Sequence, residues 1–402
     1  MEVPKLRFKE FLGDWSKSTL GNISEIFDGT HQTPKYVDSG VKFVSVENIN
    51  DLYSTDKYIT KDAFDADFKN KPRANDILMT RITAGEIGAT AIVKNDEPLG
   101  YYVSLALIRP NNYCLSGYLN QYISTNIFKN ELHKRIIHTA FPKKINLGDI
   151  NDCEVSYPSK DEQTKIANFL TAVDEKISQL NEQHQLMIQY KKGVMQKIFN
   201  QEIRFKDDNG EDFGEWKEKK LSDIANFRRG SFPQPYGLAK WLDPNGMPFV
   251  QVFDVSDNLK LKNFTKIKIS KLAQEKSVFV KKGTLIITIQ GTIGRVAKMQ
   301  YDAYVDRTLL IFQSYKIDVN IDFIKYALFL LFELEKEKAD GGIIKTITKE
   351  TLSSFTLQLP SIKEQAQIAN FLDVLDEKIN NTFEQLQTVK QWKKGLLQQM
   401  LV

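Results

Sequence analysis

The sequence predicts an α+β protein with two mixed α/β domains separated by two long antiparallel coiled-coil helices, the halves related by a pseudo-twofold internal repeat. Three observations predict it. Residues 158–200 and 360–402 align without a gap at an offset of 202, with 21 identities in 43 positions. A period this long marks a tandem domain pair, since solenoid and propeller repeats run roughly 20–50 residues. In both segments apolar residues recur at alternating steps of four and three, the heptad seam of a coiled coil. Ahead of each segment the pattern changes to the two-residue alternation of strands.

In chain order, the expected parts are a domain over 1–157, a helix over 158–200, a domain over 201–359 and a helix over 360–402. The first domain offers strand-like runs at 41–46, 76–82 and 101–108, rich in β-branched and aromatic residues, and a helical patch at 119–137. The first helix follows Pro158, with Asp161 and Glu162 placed to complement its positive end. Its seam is Ile166, Leu170, Val173, Ile177, Leu180, His184, Met187, Lys191, Val194 and Ile198. The second domain repeats the strand signal at 248–255, 284–289 and 304–312, with a helical patch at 323–337. The second helix follows Pro360 and carries Glu364, with a seam of Ile368, Leu372, Leu375, Ile379, Thr382, Leu386, Val389, Lys393, Leu396 and Met400. A run from Asp161 to Phe199 would be about 58 Å long at 1.5 Å per residue. His184 and Thr382 are polar residues on the seam, one in each helix, and read as register devices. The repeated Lys-Lys-Gly at 191–193 and 393–395 reads first as solvated helix ends. Two like helices in one chain are each other's obvious partner, and two like domains suggest a partner with two like sites.

Fainter echoes extend the repeat through the domains. Arg7-Phe8-Lys9 returns as Arg204-Phe205-Lys206, and Gly13-Asp14-Trp15 as Gly214-Glu215-Trp216. Gly29 is matched by Gly230, and Gly85-Glu86-Ile87-Gly88 by Gly291-Thr292-Ile293-Gly294. The helices stayed alike while the domains between them diverged.

Composition sets outer bounds. The 402 residues are 42% hydrophobic and 26% charged, a globular chain of two or more domains. No apolar run is long enough to span a bilayer, and the charged start MEVPKLRFKEF does not resemble a signal peptide. Two cysteines make neither a disulfide framework nor a metal cluster, and free thiols point to the cytoplasm. The net charge of +4 permits nucleic-acid binding without announcing it. Its distribution is uneven: residues 1–157 balance to −1 and residues 201–359 to +4.

A search for chemistry finds none. There is no phosphate loop and no strand–GxGxxG–helix fingerprint. Asp243-Pro244-Asn245-Gly246 lacks the closing aromatic residue of a methyltransferase tetrapeptide and reads as a turn. The four histidines show no metal-ligand spacing. No catalytic, cofactor-binding or metal-binding residue is assigned.

The proline-led segments carry a signature: Pro158, Glu162-Gln163, Ile166-Ala167-Asn168-Phe169-Leu170 and Asp174-Glu175-Lys176-Ile177, then Pro360, Glu364-Gln365, Ile368-Ala369-Asn370-Phe371-Leu372 and Asp376-Glu377-Lys378-Ile379. Present twice, each time after a divergent domain, it resembles the conserved regions of specificity subunits of type I restriction–modification enzymes. The resemblance implies a non-catalytic subunit whose two target-recognition domains each read one half of a bipartite, asymmetric double-stranded DNA site. It implies helices that set the spacer and dock two modification subunits (adenine methyltransferases), with restriction subunits in the full complex and no membrane partner. S-adenosylmethionine, ATP and Mg would belong to those partners, and the chain would need no cofactor. A coiled-coil scaffold with two protein-binding domains and no DNA role is the rival reading.

Base edges are read by Arg, Lys, Asn, Gln or small polar side chains, and phosphates are gripped by cations and free backbone N–H groups. On that chemistry the candidate DNA contacts are Lys35, Tyr36, Arg81, Thr83, Lys143 and Lys144 in the first domain. In the second they are Arg228, Arg229, Gln290, Thr292, Arg295 and Lys345. Arg81, Thr83 and Gln290 lie where a strand runs into the glycine turn, where Glu86 speaks against a close phosphate approach in the first domain.

Overall fold

The computed structural model describes residues 4–338 and 348–401. They form two compact units, residues 1–183 with 382–402 and residues 184–381. Each unit thus takes one part of each long helix.

The first unit is built on an antiparallel sheet in the order Ser24–Asp28, Leu105–Pro110, Ile77–Thr80, Thr90–Ile92. Both its faces are covered. Ile77, Met79, Ala106 and Ile108 pack with Tyr118, Tyr122, Phe128 and Leu132 of helices Ser116–Ile123 and Asn126–Arg135. Leu78, Leu105 and Leu107 face a second cluster with Phe43, Phe64 and Phe68. That is why the sequence reads ILM and LALI without alternation: a strand buried on both sides has no polar face. The second cluster is roofed by Tyr58–Ile59, Val41–Val44 and Leu99–Tyr101, in which Val41–Val44 runs parallel to Leu99–Tyr101.

The second unit repeats the plan. Its sheet runs Ala225–Arg229, Leu309–Tyr315, Leu285–Thr288, Val296–Lys298, with helix Ile321–Lys338 against one face. A second sheet, Ile267–Ile269, Leu242–Val250, Ala303–Val305 and Val278–Val280, covers the other. The runs expected as single strands at 101–108 and 304–312 are each two strands in different sheets. The chain turns between them, with Leu105 N donating to Tyr102 O and Leu309 N to Asp306 O. The tetrapeptide at 243–246 forms a bulge within Leu242–Val250, where Asn245 N donates to Asp243 Oδ1 at 2.9 Å.

The long helices are Lys160–Phe199 and Ile362–Met400. Every seam position of both is buried or half-buried, Thr382 and His184 included. In the first unit the helix parts run antiparallel. Leu6 N donates to Gln399 O while neighbouring Arg7 grips Glu162, and farther along Asp174 meets Lys393 at 2.6 Å and Phe169 meets Trp392 edge-on. Ile166, Leu170 and Val173 cluster there with Leu396 and Met400. In the second unit Lys191 meets Asp376 at 2.5 Å, and Met195 and Ile198 cluster with Ile368 and Leu372. Lys191 and Lys393 are therefore packing residues, a correction to their reading as solvated ends, whereas Lys192 and Lys394 are exposed. Burial holds the Lys191 ammonium below its ordinary value despite Asp376.

The duplicated signature is structural too. Ser159 and Ser361 precede the helices, and their hydroxyls accept from Glu162 N and Glu364 N. Glu162 and Glu364 are almost fully buried, each taking a two-pronged ion pair, from Arg7 and Arg204 respectively. Gln163 Nε2 donates to Pro158 O and its Oε1 accepts from Leu115 N; Gln365 does the same with Pro360 O and Asn320 N.

Candidate nucleic-acid interface

In the first unit the chain leaves strand Ser24–Asp28 at Gly29, where a Cβ would sit 2.6 Å from the Tyr101 carbonyl oxygen. Only glycine allows that approach. The following loop presents Lys35 and Tyr36, both exposed. The Tyr36 ring stands edge-on to Phe43 with the Lys57 ammonium 5.9 Å from its centroid. Strand Ile77–Thr80 runs into the glycine turn, closed by Thr80: its hydroxyl donates to Glu86 O at 2.7 Å and accepts from Ala89 N at 3.0 Å. Gly88 has φ +92° there, beside Leu132. Glu86 is tied to Lys129 at 2.6 Å. Next to the turn, Ile82–Thr83 pairs with Lys143–Lys144, whose side chains are exposed; half-buried Thr83 accepts from Gly85 N.

Arg81 requires a correction. It is 7% exposed and turned inward, donating to Asp28 Oδ1 (2.8 Å), Val103 O (3.0 Å) and Ile145 O (3.2 Å). A guanidinium so committed cannot lie against a base edge. It ties the end of strand Ser24–Asp28, the turn at 102–104 and the lysine ribbon to one point, a positioning role.

The second unit presents the matching face with other side chains. Arg228 and Arg229 are exposed just before Gly230, whose Cβ would meet Val305 O at 2.2 Å. Gln290 and Thr292 are exposed on the glycine turn, held by Thr288, whose hydroxyl donates to Thr292 O and accepts from Arg295 N. Arg295 is half-buried and spends one donor on Val255 O at 2.9 Å, so its reach is restricted. Lys345 lies outside the described residues.

Sequence reasoning missed Tyr236 and Arg307. Tyr236 is 38% exposed, its hydroxyl donates to buried Asp306, and Arg307 lies 5.2 Å from its ring centroid. Asp306 also accepts from Thr308 N, and Ile289 N donates to Thr308 O, which brings this loop beside Gln290. The signal was present: Gly29 and Gly230 are each followed, six or seven residues on, by a proline-preceded Tyr loop. A one-residue difference in loop length hid the match.

The surface offers cations, amide and hydroxyl groups and two pinned aromatic rings, the set needed to hold phosphates and touch base edges. Away from this surface, burial pushes the Cys114 and Cys153 thiols up to about 12. Among the described residues no cluster of three or more His, Cys, Asp or Glu could hold a metal, and no helix is long and apolar enough to cross a membrane.

The sequence model of the type I restriction–modification DNA specificity domain matches twice, at residues 13–189 and 214–391. The chain belongs to that family. Among its relatives is a putative type I restriction enzyme MjaX specificity subunit of Methanocaldococcus jannaschii, 26% identical over 420 residues, covering 99% of this chain and 95% of that one. The EcoBI specificity subunit of Escherichia coli is 26% identical over 198 residues, 44% of this chain and 40% of that one. In fold, the chain matches the crystal structure of a type I restriction–modification S subunit from M. genitalium, with a TM-score of 0.62 at 14% identity, covering 100% and 99% of the two chains. It is a specificity subunit of a type I restriction–modification system with two target-recognition domains. The scaffold reading without DNA has no support.

Proposed function

We propose that each target-recognition domain reads one half of a bipartite duplex site, and that the long helices fix the unspecified spacer and dock two modification subunits. The observation that carries this is one recognition fold built twice, with different exposed side chains on matching loops: Lys35, Tyr36, Thr83, Lys143 and Lys144 in one, Arg228, Arg229, Gln290, Thr292 and Tyr236 in the other. Same scaffold and different readers suit an asymmetric site. Domains reading one face of a duplex need centres about 34–36 Å apart, and a 40-residue helix supplies about 60 Å.

In this reading the chain performs no catalysis and holds no cofactor. S-adenosylmethionine, ATP and Mg enter with the modification and restriction subunits, and the complex works in the cytoplasm. Exposed Tyr190 and Trp392, at equivalent places on the two helices, suit the packing of two identical subunits. The test is a methylation map of DNA from cells co-expressing this chain and its modification subunit. Four residues inserted into one helix add about 6 Å, close to two base pairs, and should lengthen the mapped spacer accordingly. An unchanged gap would refute the spacer role; absence of any site-specific methylation would refute the whole.

A further inference from the structure

The two recognition domains differ in charge over a stretch in which their elements come in the same order. Residues 257–282 hold eight lysines against two acidic residues; the matching residues 51–74 hold five basic against five acidic. Both stretches follow the same path, a short strand (Ile267–Ile269 or Tyr58–Ile59) leading to a helix capped by Ser270 or Thr60. The difference is therefore one of side chains on a common frame. In the first unit Lys57 pairs with Glu47 and Lys71 with Asp65. In the second all eight lysines are exposed, and none pairs with a carboxylate among the described residues.

Hydrogen bonds place several of these lysines along one strip. Lys266 lies over the Phe253 ring at 5.4 Å, next to Val252, which packs on Gly291 of the glycine turn. Lys266 N donates to Asp254 Oδ1 and Lys262 N to Asp254 O. Lys262 O accepts from Tyr301 Oη, and Lys282 N donates to the adjacent Asp302 Oδ1. The strip thus leads from the reading turn through Lys266 and Lys262 to Lys281 and Lys282. Asp302 offsets one charge at its far end, and Asp254 is buried beneath it.

We infer that this strip is a phosphate track on which the second domain holds duplex DNA beside its half-site, so that the two domains divide affinity unequally. Unpaired, exposed lysines fit a backbone of repeated negative charge and carry no base information. Release of condensed counterions makes such contacts salt-dependent, with a slope of about 0.9 per phosphate neutralised. The second domain then supplies most of the general grip, and the first, with its balanced counterpart, supplies little beyond its own reading loops.

The inference rests on the DNA-specificity reading, and its test separates the two. In the purified complex with the modification subunit, dissociation constants for the methylation-mapped duplex and a scrambled duplex are measured across a salt series. Replacing Lys262, Lys266, Lys281 and Lys282 by Gln should flatten the log–log salt slope by about 3.6 and weaken both duplexes in proportion. Arginine at the same four positions should restore the slope, and glutamine at Lys57, Lys61, Lys69 and Lys71 should change it far less. A wild-type slope in the fourfold Gln variant, or equal losses from the two domains, overturns the track. Wild-type protein that binds no duplex in a salt-dependent manner overturns the specificity reading itself.

Discussion

The Arg7–Glu162 pair gives the sharpest physical test of how the repeat is held together. Arg7 Nε and Nη2 each donate to Glu162 at 2.7 Å, and Nη2 also donates to Gly13 O at 2.6 Å. The hydrogen bond to Glu162 raises the guanidinium above its ordinary value, so Arg7 keeps its charge. The glutamate is 1% exposed. Arg7→Ala therefore leaves a buried carboxylate without a counterion and releases the segment that reaches Gly13. Breaking a buried pair from one side costs about 3–5 kcal/mol. At about 2–4 °C per kcal/mol for a unit of this size, the melting transition should fall by about 6–20 °C. Adding Glu162→Gln to Arg7→Ala removes the stranded charge and should recover part of that loss. Arg204→Ala should behave alike, because Glu364 is 0% exposed and Arg204 repeats the fork to it and to Gly214 O. A loss below about 1 kcal/mol, or a double variant no more stable than Arg7→Ala, would refute the reasoning.

Two further outcomes are expected. Arg81→Ala should lower thermal stability and loosen the ribbon of Lys143 and Lys144, measured by hydrogen exchange at Ile82 and Lys144, whereas Thr83→Ala should leave stability within about 0.5 kcal/mol and change DNA binding alone. Cys114 and Cys153, buried and with thiols raised to about 12, should resist a thiol reagent at pH 8 in the native protein and react fully in denaturant; fast native labelling would contradict their placement.

The sequence alone determined the tandem plan, the two long helices and their seam, because those signals are periodic and local. A residue at a fixed step along a helix meets the same environment in every turn, and duplication printed the pattern twice. Composition also bounded the chemistry, since a phosphate loop or a metal cluster leaves marks in spacing. Tertiary structure decided what short-range pattern cannot carry. The apolar runs at 101–108 and 304–312 alternate as one strand would, yet a turn in each moves the chain into another sheet. Arg81 has the right residue type beside the right turn, but Asp28 and two carbonyls distant in sequence claim its guanidinium. Tyr236 became visible only when Asp306 and Arg307 folded against it. Lys191 and Lys393 look like helix-end cations until aspartates from the opposite helix face them. A side chain's partner is chosen by the fold, and charge means contact, anchor or solvent according to which groups the chain brings within hydrogen-bond reach.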